Sequence, residues 1–241
     1  MYKYLPYVIL LLFLCSALKI NAKDSIILSV DNYPPYIDAR KNNKGKLAKI
    51  ITDIFKMQGY DVKYQFMSWP ETEIAITGGN SFSFMWYKTE QRTKNWIFSD
   101  PITSLNTSFL YRKNNKFKLE RIDQLRRYSI GITKGYSYGD YFDVYKEQLK
   151  LVSSISDYEG IKKLLAGETD LLLIEPLVAK SLLEDWFSDE VDNTKLSYVN
   201  YLSNQPIYLV CSQQYVSCAH LMQKFNFALR ELKASNALNI E

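Results

Sequence analysis

One histidine, His220, in 241 residues leaves little material for metal chemistry and closes every Ser-His-Asp scheme that does not run through that residue. Nine glycines and seven prolines exclude a collagen-like or low-complexity chain. A charge excess is missing as well. Thirty basic residues face 26 acidic ones, which gives no support for a nucleic-acid-binding face. After residue 22 no stretch approaches 18 apolar residues, so no later membrane span is expected. What is abundant is aromatic and apolar. The chain carries 19 Tyr, 12 Phe and 4 Trp and is 47% hydrophobic, which argues against disorder and for one large or two small domains with real cores.

The first 22 residues read as a removable export signal. Lys3 supplies a positive start, Leu5 to Leu18 is an uncharged apolar run, and small Ala22 precedes a cut before Lys23. The other reading is an uncleaved N-terminal anchor. Phe13-Leu14 ahead of Cys15 argue against a lipidated cysteine. Cys15 leaves with the signal, so Cys211 and Cys218 remain. In an oxidising compartment an even, closely spaced pair predicts one disulfide; two buried free thiols are the alternative.

Beyond the signal, strands and helices alternate. Ile26 to Val30, Val62 to Met67, Ser81 to Tyr87, Phe109 to Arg112, Ser129 to Ile132, Leu171 to Ile174 and Ile207 to Cys211 read as strands. Leu47, Ile50, Ile51, Ile54 and Phe55 recur at helical spacing. Glu71 to Thr77, the stretch after Ser156 up to Gly167, Leu177 to Trp186 and Leu221 to Leu232 read as further helices. The βαβα order predicts an α/β fold with mostly parallel sheets. In such sheets ligands lie beyond the carboxyl ends of the strands.

Four groups fall at those ends. Tyr33-Pro34-Pro35-Tyr36 is a stiffened aromatic loop. Arg92 offers a fork that matches two carboxylate oxygens. Gly135-Tyr136-Ser137 precedes a helix and offers amides and a hydroxyl to an anion. Glu175 is placed to meet an ammonium group. The first two and Glu175 also have a plain structural reading: a rigid turn, a solvated helix-start arginine and a helix-start acid. No standard catalytic motif is present, because Gly131, Gly135 and Gly139 fit neither the dinucleotide nor the phosphate-loop spacing. No metal and no cofactor is expected.

Taken in order, these segments resemble family 3 of the bacterial extracellular solute-binding proteins. The resemblance runs through Asp31-Asn32-Tyr33-Pro34-Pro35-Tyr36, Trp69, Tyr87-Lys88-Thr89-Glu90-Gln91-Arg92, Phe98-Ser99-Asp100-Pro101, Gly135-Tyr136-Ser137, Gly167-Glu168-Thr169-Asp170 and Tyr208 to Ser212. It implies a two-lobe, type II-like periplasmic binding fold with two hinge crossovers. Lobe 1 would hold residues 23–107 and 204–241, lobe 2 residues 108–203, and the crossovers would fall near 104–107 and 201–205. The resemblance further implies a monomeric protein of a Gram-negative-type periplasm. It would capture an amino-acid-like zwitterion for an ABC permease or a membrane receptor. By matching position, Arg92 would clamp the α-carboxylate with Ser137, Tyr33 would stack on the ligand, Glu175 would face its amino group, and Asp31 would be a cleft-edge acid.

Three departures bear on the ligand. Gly78-Gly79-Asn80-Ser81 lacks the family's usual Asp, Trp69 is followed by Pro70-Glu71 rather than a basic residue, and small polar contacts are replaced by Phe84-Met85-Trp86-Tyr87. Trp69, Trp86 and Tyr87 thus join the expected ligand-binding wall, which suits planar or apolar groups and cations. The alternatives are a dehydratase-like enzyme on the same scaffold, using Glu175, Glu71 or Asp31 as acid or base, and a ligand-free module that binds only a partner.

Overall fold

A computed structural model describes residues 24–198, 202 and 204–235 of the chain. The expected export signal, residues 1–22, lies outside the described residues. Among the described residues, no helix is long and apolar enough to cross a membrane.

The chain builds two sheets. In the first, β1 (Ser25–Val30) pairs in parallel with β2 (Asp61–Phe66) on one side and β3 (Phe82–Tyr87) on the other. β11 (Gln205–Ser212) returns antiparallel to β3, and short β4 (Trp96–Phe98) and β5 (Thr103–Leu105) pair with the free side of β11. In the second sheet, β7 (Ser129–Thr133) pairs in parallel with β8 (Lys150–Ser154) and β9 (Leu171–Ile174); β6 (Ser108–Arg112) and β10 (Thr194–Tyr198) add antiparallel. The expected parallel sheets are therefore mixed. Each keeps a three-stranded parallel core, but strands that arrive from the other sheet enter without a helical crossover and so run the opposite way.

The helices are α1 (Lys46–Met57), α2 (Trp69–Thr77), α3 (Glu90–Thr93), α4 (Asp140–Tyr145), α5 (Asp157–Ala166), α6 (Pro176–Trp186) and α7 (Cys218–Ala234). α1 buries Leu47, Ile51, Ile54 and Phe55 of the stripe its spacing predicts, together with Ala48, while Ile50 stays half-buried. α2 begins two residues earlier than its sequence suggests. Ser68 is the cap, its backbone N–H donates to Glu71 at 2.9 Å, and Pro70 is tolerated in the first turn where no amide donor is needed. α5 opens at Ser156, whose hydroxyl accepts from the Glu159 amide, and closes at left-handed Gly167.

The chain leaves the first sheet between Leu105 and Ser108 and returns between Tyr198 and Gln205. The two passages are tied together: Thr107 N–H donates to the Leu202 carbonyl at 2.8 Å, and Asn204 N–H donates to Asn106 Oδ1 at 2.8 Å. Residues 199–201 and 203 of the second passage lie outside the described residues.

Candidate functional site

The loop after β1 is fixed before it can serve as a wall. Tyr33 and Ile37 exchange two backbone hydrogen bonds, 2.8 and 3.0 Å, closing a tight turn around Pro34-Pro35. The start of α1 then packs on this turn, with Leu47 N–H donating to the Tyr36 carbonyl. Gly45 makes that approach possible. Its φ is 105°, and a Cβ there would fall 2.5 Å from the Tyr36 oxygen. The result holds the Tyr33 ring over the strand ends, within about 6 Å of the Tyr36, Trp69 and Tyr136 rings, each centroid 5.9–6.2 Å away.

β3 supplies the next wall through an irregularity. Opposite it, Tyr208 pairs with Trp86 and Leu209 with Phe84, so Met85 has no partner and takes φ 74°. A bulge of this kind re-aims the side chains that follow it. Trp86 and Tyr87 consequently line the same cavity as Tyr33. Trp86 is held by its indole N–H donating to Ser83 Oγ at 2.8 Å.

Arg92 is placed by α3, whose cap is Thr89. Its Nη1 donates to the Tyr87 carbonyl at 3.1 Å. The guanidinium carbon lies 4.7 Å from the centre of the Trp86 ring and 5.7 Å from that of Trp96. Burial disfavours its charge and lowers its pKa from the ordinary arginine value, a pull opposed by Glu73 and Asp143 at longer range. Among the described residues no carboxylate comes within ion-pair distance of it. A half-buried, stacked guanidinium without an ionic partner is set up to receive an anion.

The second sheet contributes the loop after β7. Gly135, φ 86°, packs against Pro70, so the two sheets' loops meet there. Tyr136 and Ser137 then face the Arg92 cavity. The Ser137 hydroxyl is engaged with Asp143 Oδ2 at 2.8 Å. Across the seam, the Trp69 indole N–H donates to the Tyr136 hydroxyl at 3.2 Å, and that hydroxyl donates to Asp157 Oδ2 at 3.1 Å. Asp157 also accepts from Thr133 Oγ1 at 2.6 Å, and burial pushes its carboxyl up to about 6, with Asp31 adding to the rise.

Six of the eight residues expected at the ligand therefore surround one cavity of about 50 Å³: Tyr33, Trp69, Trp86, Tyr87, Arg92 and Ser137. The other two are elsewhere. Asp31 accepts from the backbone amides of Asn32 and Trp69 and borders a wider groove of about 410 Å³ beside Asp157 and Trp186. Glu175 caps α6, accepting from Val178 N–H at 2.8 Å, and takes a hydrogen bond from the Tyr36 hydroxyl. Its carboxyl is buried and pushed up to about 7. Glu71, another expected acid, is used in the α2 cap. Met85 of the expected apolar wall also lines the cavity, while Phe84 does not; the Tyr136 phenol, Leu105 and Asp157 were not expected at the site. Asp157 reads in sequence as an ordinary first-turn acid, and only its contact with Thr133 and Tyr136 buries it. Among the described residues no group of three or more His, Cys, Asp or Glu is arranged to hold a metal ion.

Two α/β lobes that face each other across a pocket at their strand ends make this a two-lobed solute-binding fold. Over residues 26–240 the chain matches the bacterial extracellular solute-binding proteins, family 3, and it belongs to that family. An ancestral arginine-binding protein bound to arginine superposes with a TM-score of 0.74 at 19% identity, covering 90% of this chain and 95% of the other. An arginine third transport system periplasmic binding protein from Legionella pneumophila gives 0.74 at 16%, covering 90% and 96%. A histidine kinase sensor domain with similarity to periplasmic binding proteins gives 0.75 at 18%, covering 89% and 92%. At these identities the likeness concerns the fold. No curated protein matches the chain in sequence.

Proposed function

We propose that this chain is a periplasmic binding protein that captures a small amino-acid-like solute by its carboxylate in the cleft between the lobes. The observation that carries this reading is Arg92, half-buried in the cavity wall, stacked on two indoles and without a carboxylate partner among the described residues. In this reading Arg92 holds the carboxylate, Tyr33, Trp69, Trp86 and Tyr87 enclose the rest, and Ser137 borders the carboxylate end. Asp31 and Glu175 orient the loop and α6 rather than touching the ligand directly. No carboxylate is among the residues lining the cavity, which favours binding over acid–base catalysis.

The lobes are assigned as residues 23–107 with 204–241 and residues 108–203, hinged where Thr107 meets Leu202 and Asn106 meets Asn204. Residues 1–22 are assigned as the export signal of a monomeric periplasmic protein. Cys211 and Cys218, whose Cα atoms are 6.0 Å apart with their sulfurs in contact, are assigned as a disulfide. The partner is an ABC permease or a membrane receptor. Relatives described as transport proteins and as a kinase sensor domain fit both.

A thermal-shift screen of the exported protein against amino acids and simple carboxylates tests the reading. Carboxylate-bearing solutes should raise the melting temperature and their amide or ester forms should not. A protein stabilised equally by both would not be using Arg92 as a clamp.

A further inference from the structure

Resting on that reading of the Arg92 cavity, we infer that Trp69 and Tyr136 form a cross-cleft plug that restricts the ligand to the smallest monocarboxylates, of the size of acetate or glycine. The two side chains come from different sheets, Trp69 from the first turn of α2 and Tyr136 from the loop after β7. Their hydrogen bond of 3.2 Å joins two residues that line the same cavity as Arg92. Both are fixed from behind. Trp69 is nearly fully buried and meets the Trp86 ring edge-on at 5.3 Å. Tyr136 is held by its hydroxyl on Asp157, which Thr133 anchors in turn.

The space left is about 50 Å³. A buried water needs roughly 10–15 Å³ on the same scale, so the cavity accommodates about four waters, the bulk of a two-carbon acid. Ligand pockets for larger molecules run to ~300 Å³ and above. The chemistry of the wall agrees with the volume. One guanidinium supplies the positive charge, and the remaining surface is mainly aromatic. The Ser137 hydroxyl is already spent on Asp143. Beyond Arg92 the polar side chains lining the cavity are tyrosine hydroxyls and Ser137, none of them charged, and the aromatic faces accept a methyl group or attract an ammonium. Closing the lobes over a longer ligand would leave the Trp69–Tyr136 bond unmade and displace rings that are packed on their far sides.

Calorimetric titration of the full chain, produced with its own export signal, against acetate, glycine, propionate, alanine, glutamine, arginine and phenylalanine tests this directly. Acetate or glycine should bind most tightly, and glutamine, arginine and phenylalanine at least about 100-fold more weakly, since each buried methylene beyond the fit changes discrimination by roughly 10–200-fold. Trp69→Ala should narrow that gap by about tenfold or more by admitting the longer ligands. Tyr136→Phe, which keeps the ring and removes the hydroxyl, should narrow it less; this second variant decides the point if Trp69→Ala fails to fold. Glutamine or arginine binding the wild type as tightly as glycine would overturn the plug while leaving the carboxylate clamp standing. Failure of every carboxylate to bind would overturn the clamp itself, and the plug with it.

Discussion

Arg40, in the loop after β1, reaches Asp185 at the end of α6 across the seam between the lobes, with 2.7 Å between Nη2 and Oδ2. The same guanidinium pairs with Asp38 at 2.9 Å and lies 5.6 Å from the centre of the Trp186 ring. The two carboxylates differ sharply in environment, 3% against 41% exposed, and this separates the consequences of losing each contact. Asp185→Ala removes a solvent-screened pair and should cost less than about 1 kcal/mol. Arg40→Ala strands a buried carboxylate that Arg40 holds below its ordinary range, and should cost about 1–3 kcal/mol. Urea unfolding of both variants measures the difference. Equal costs would mean that Asp38 is not dependent on Arg40.

Stability should fall as pH rises through the weakly acid range. Burial raises Glu175 to about 7 and Asp157 to about 6, whereas in the unfolded chain both belong near 4. Between roughly pH 4.5 and 7 the folded protein keeps protons that the unfolded chain has released, so folding is favoured on the acid side of that window and loses the advantage above it. Asp38, shifted the other way, acts only at lower pH. The combined effect is on the order of 5 kcal/mol, or roughly 10–20 °C in melting temperature. Glu175→Gln keeps a carbonyl oxygen for the Val178 amide and should flatten about half of the slope. Melting curves with the same pH slope in wild type and Glu175→Gln would remove Glu175 from this account.

A Cys211–Cys218 disulfide should be worth about 2–3 kcal/mol, the chain-entropy value for so short a loop. It would tie the end of β11 to the first turn of α7, where both cysteines are fully buried. Free-thiol titration of the unreduced protein should find none at these positions. The Cys211→Ser/Cys218→Ser double variant should unfold at lower denaturant concentration with an unchanged dependence on denaturant. A variant as stable as wild type would show that the pair adds nothing.

The aromatic wall and Arg92 were legible because they follow strands, and the carboxyl ends of strands are where an α/β sheet gathers its binding groups. Tyr33, Trp86, Tyr87, Arg92 and Ser137 all reach the cavity for that reason. Asp31 and Glu175 also follow strands, yet each finds backbone amides closer than any ligand. Sequence alone cannot arbitrate between a cap and a contact, since the same side chain suits both. β8 and β10 were hidden for another reason. As sheet edges exposed on one side, Lys150–Ser154 and Thr194–Tyr198 carry no apolar run. The Met85 bulge depends on how β3 meets β11, more than a hundred residues later, and nothing local announces it.

Arg92 carries the sharpest prediction. Its guanidinium is permanently charged and its fork matches two carboxylate oxygens, so it should make the strongest single contact with a carboxylate ligand. The pair would form in a half-enclosed cavity, against Trp86 and Trp96, where water screens it less than at an open surface. Arg92→Ala should weaken binding by roughly 2–5 kcal/mol, about thirtyfold to several thousandfold. Arg92→Lys should recover only part, because an ammonium cannot reproduce two parallel hydrogen bonds. Loss of the stacking on Trp86 and of the bond to the Tyr87 carbonyl should cost the fold about 1–2 kcal/mol, so both variants should still melt cooperatively. Titration of the wild type and both variants with the ligand found by screening settles the point. If Arg92→Ala bound a carboxylate as tightly as wild type, the anchor would have to be the aromatic wall of Tyr33, Trp86 and Tyr87.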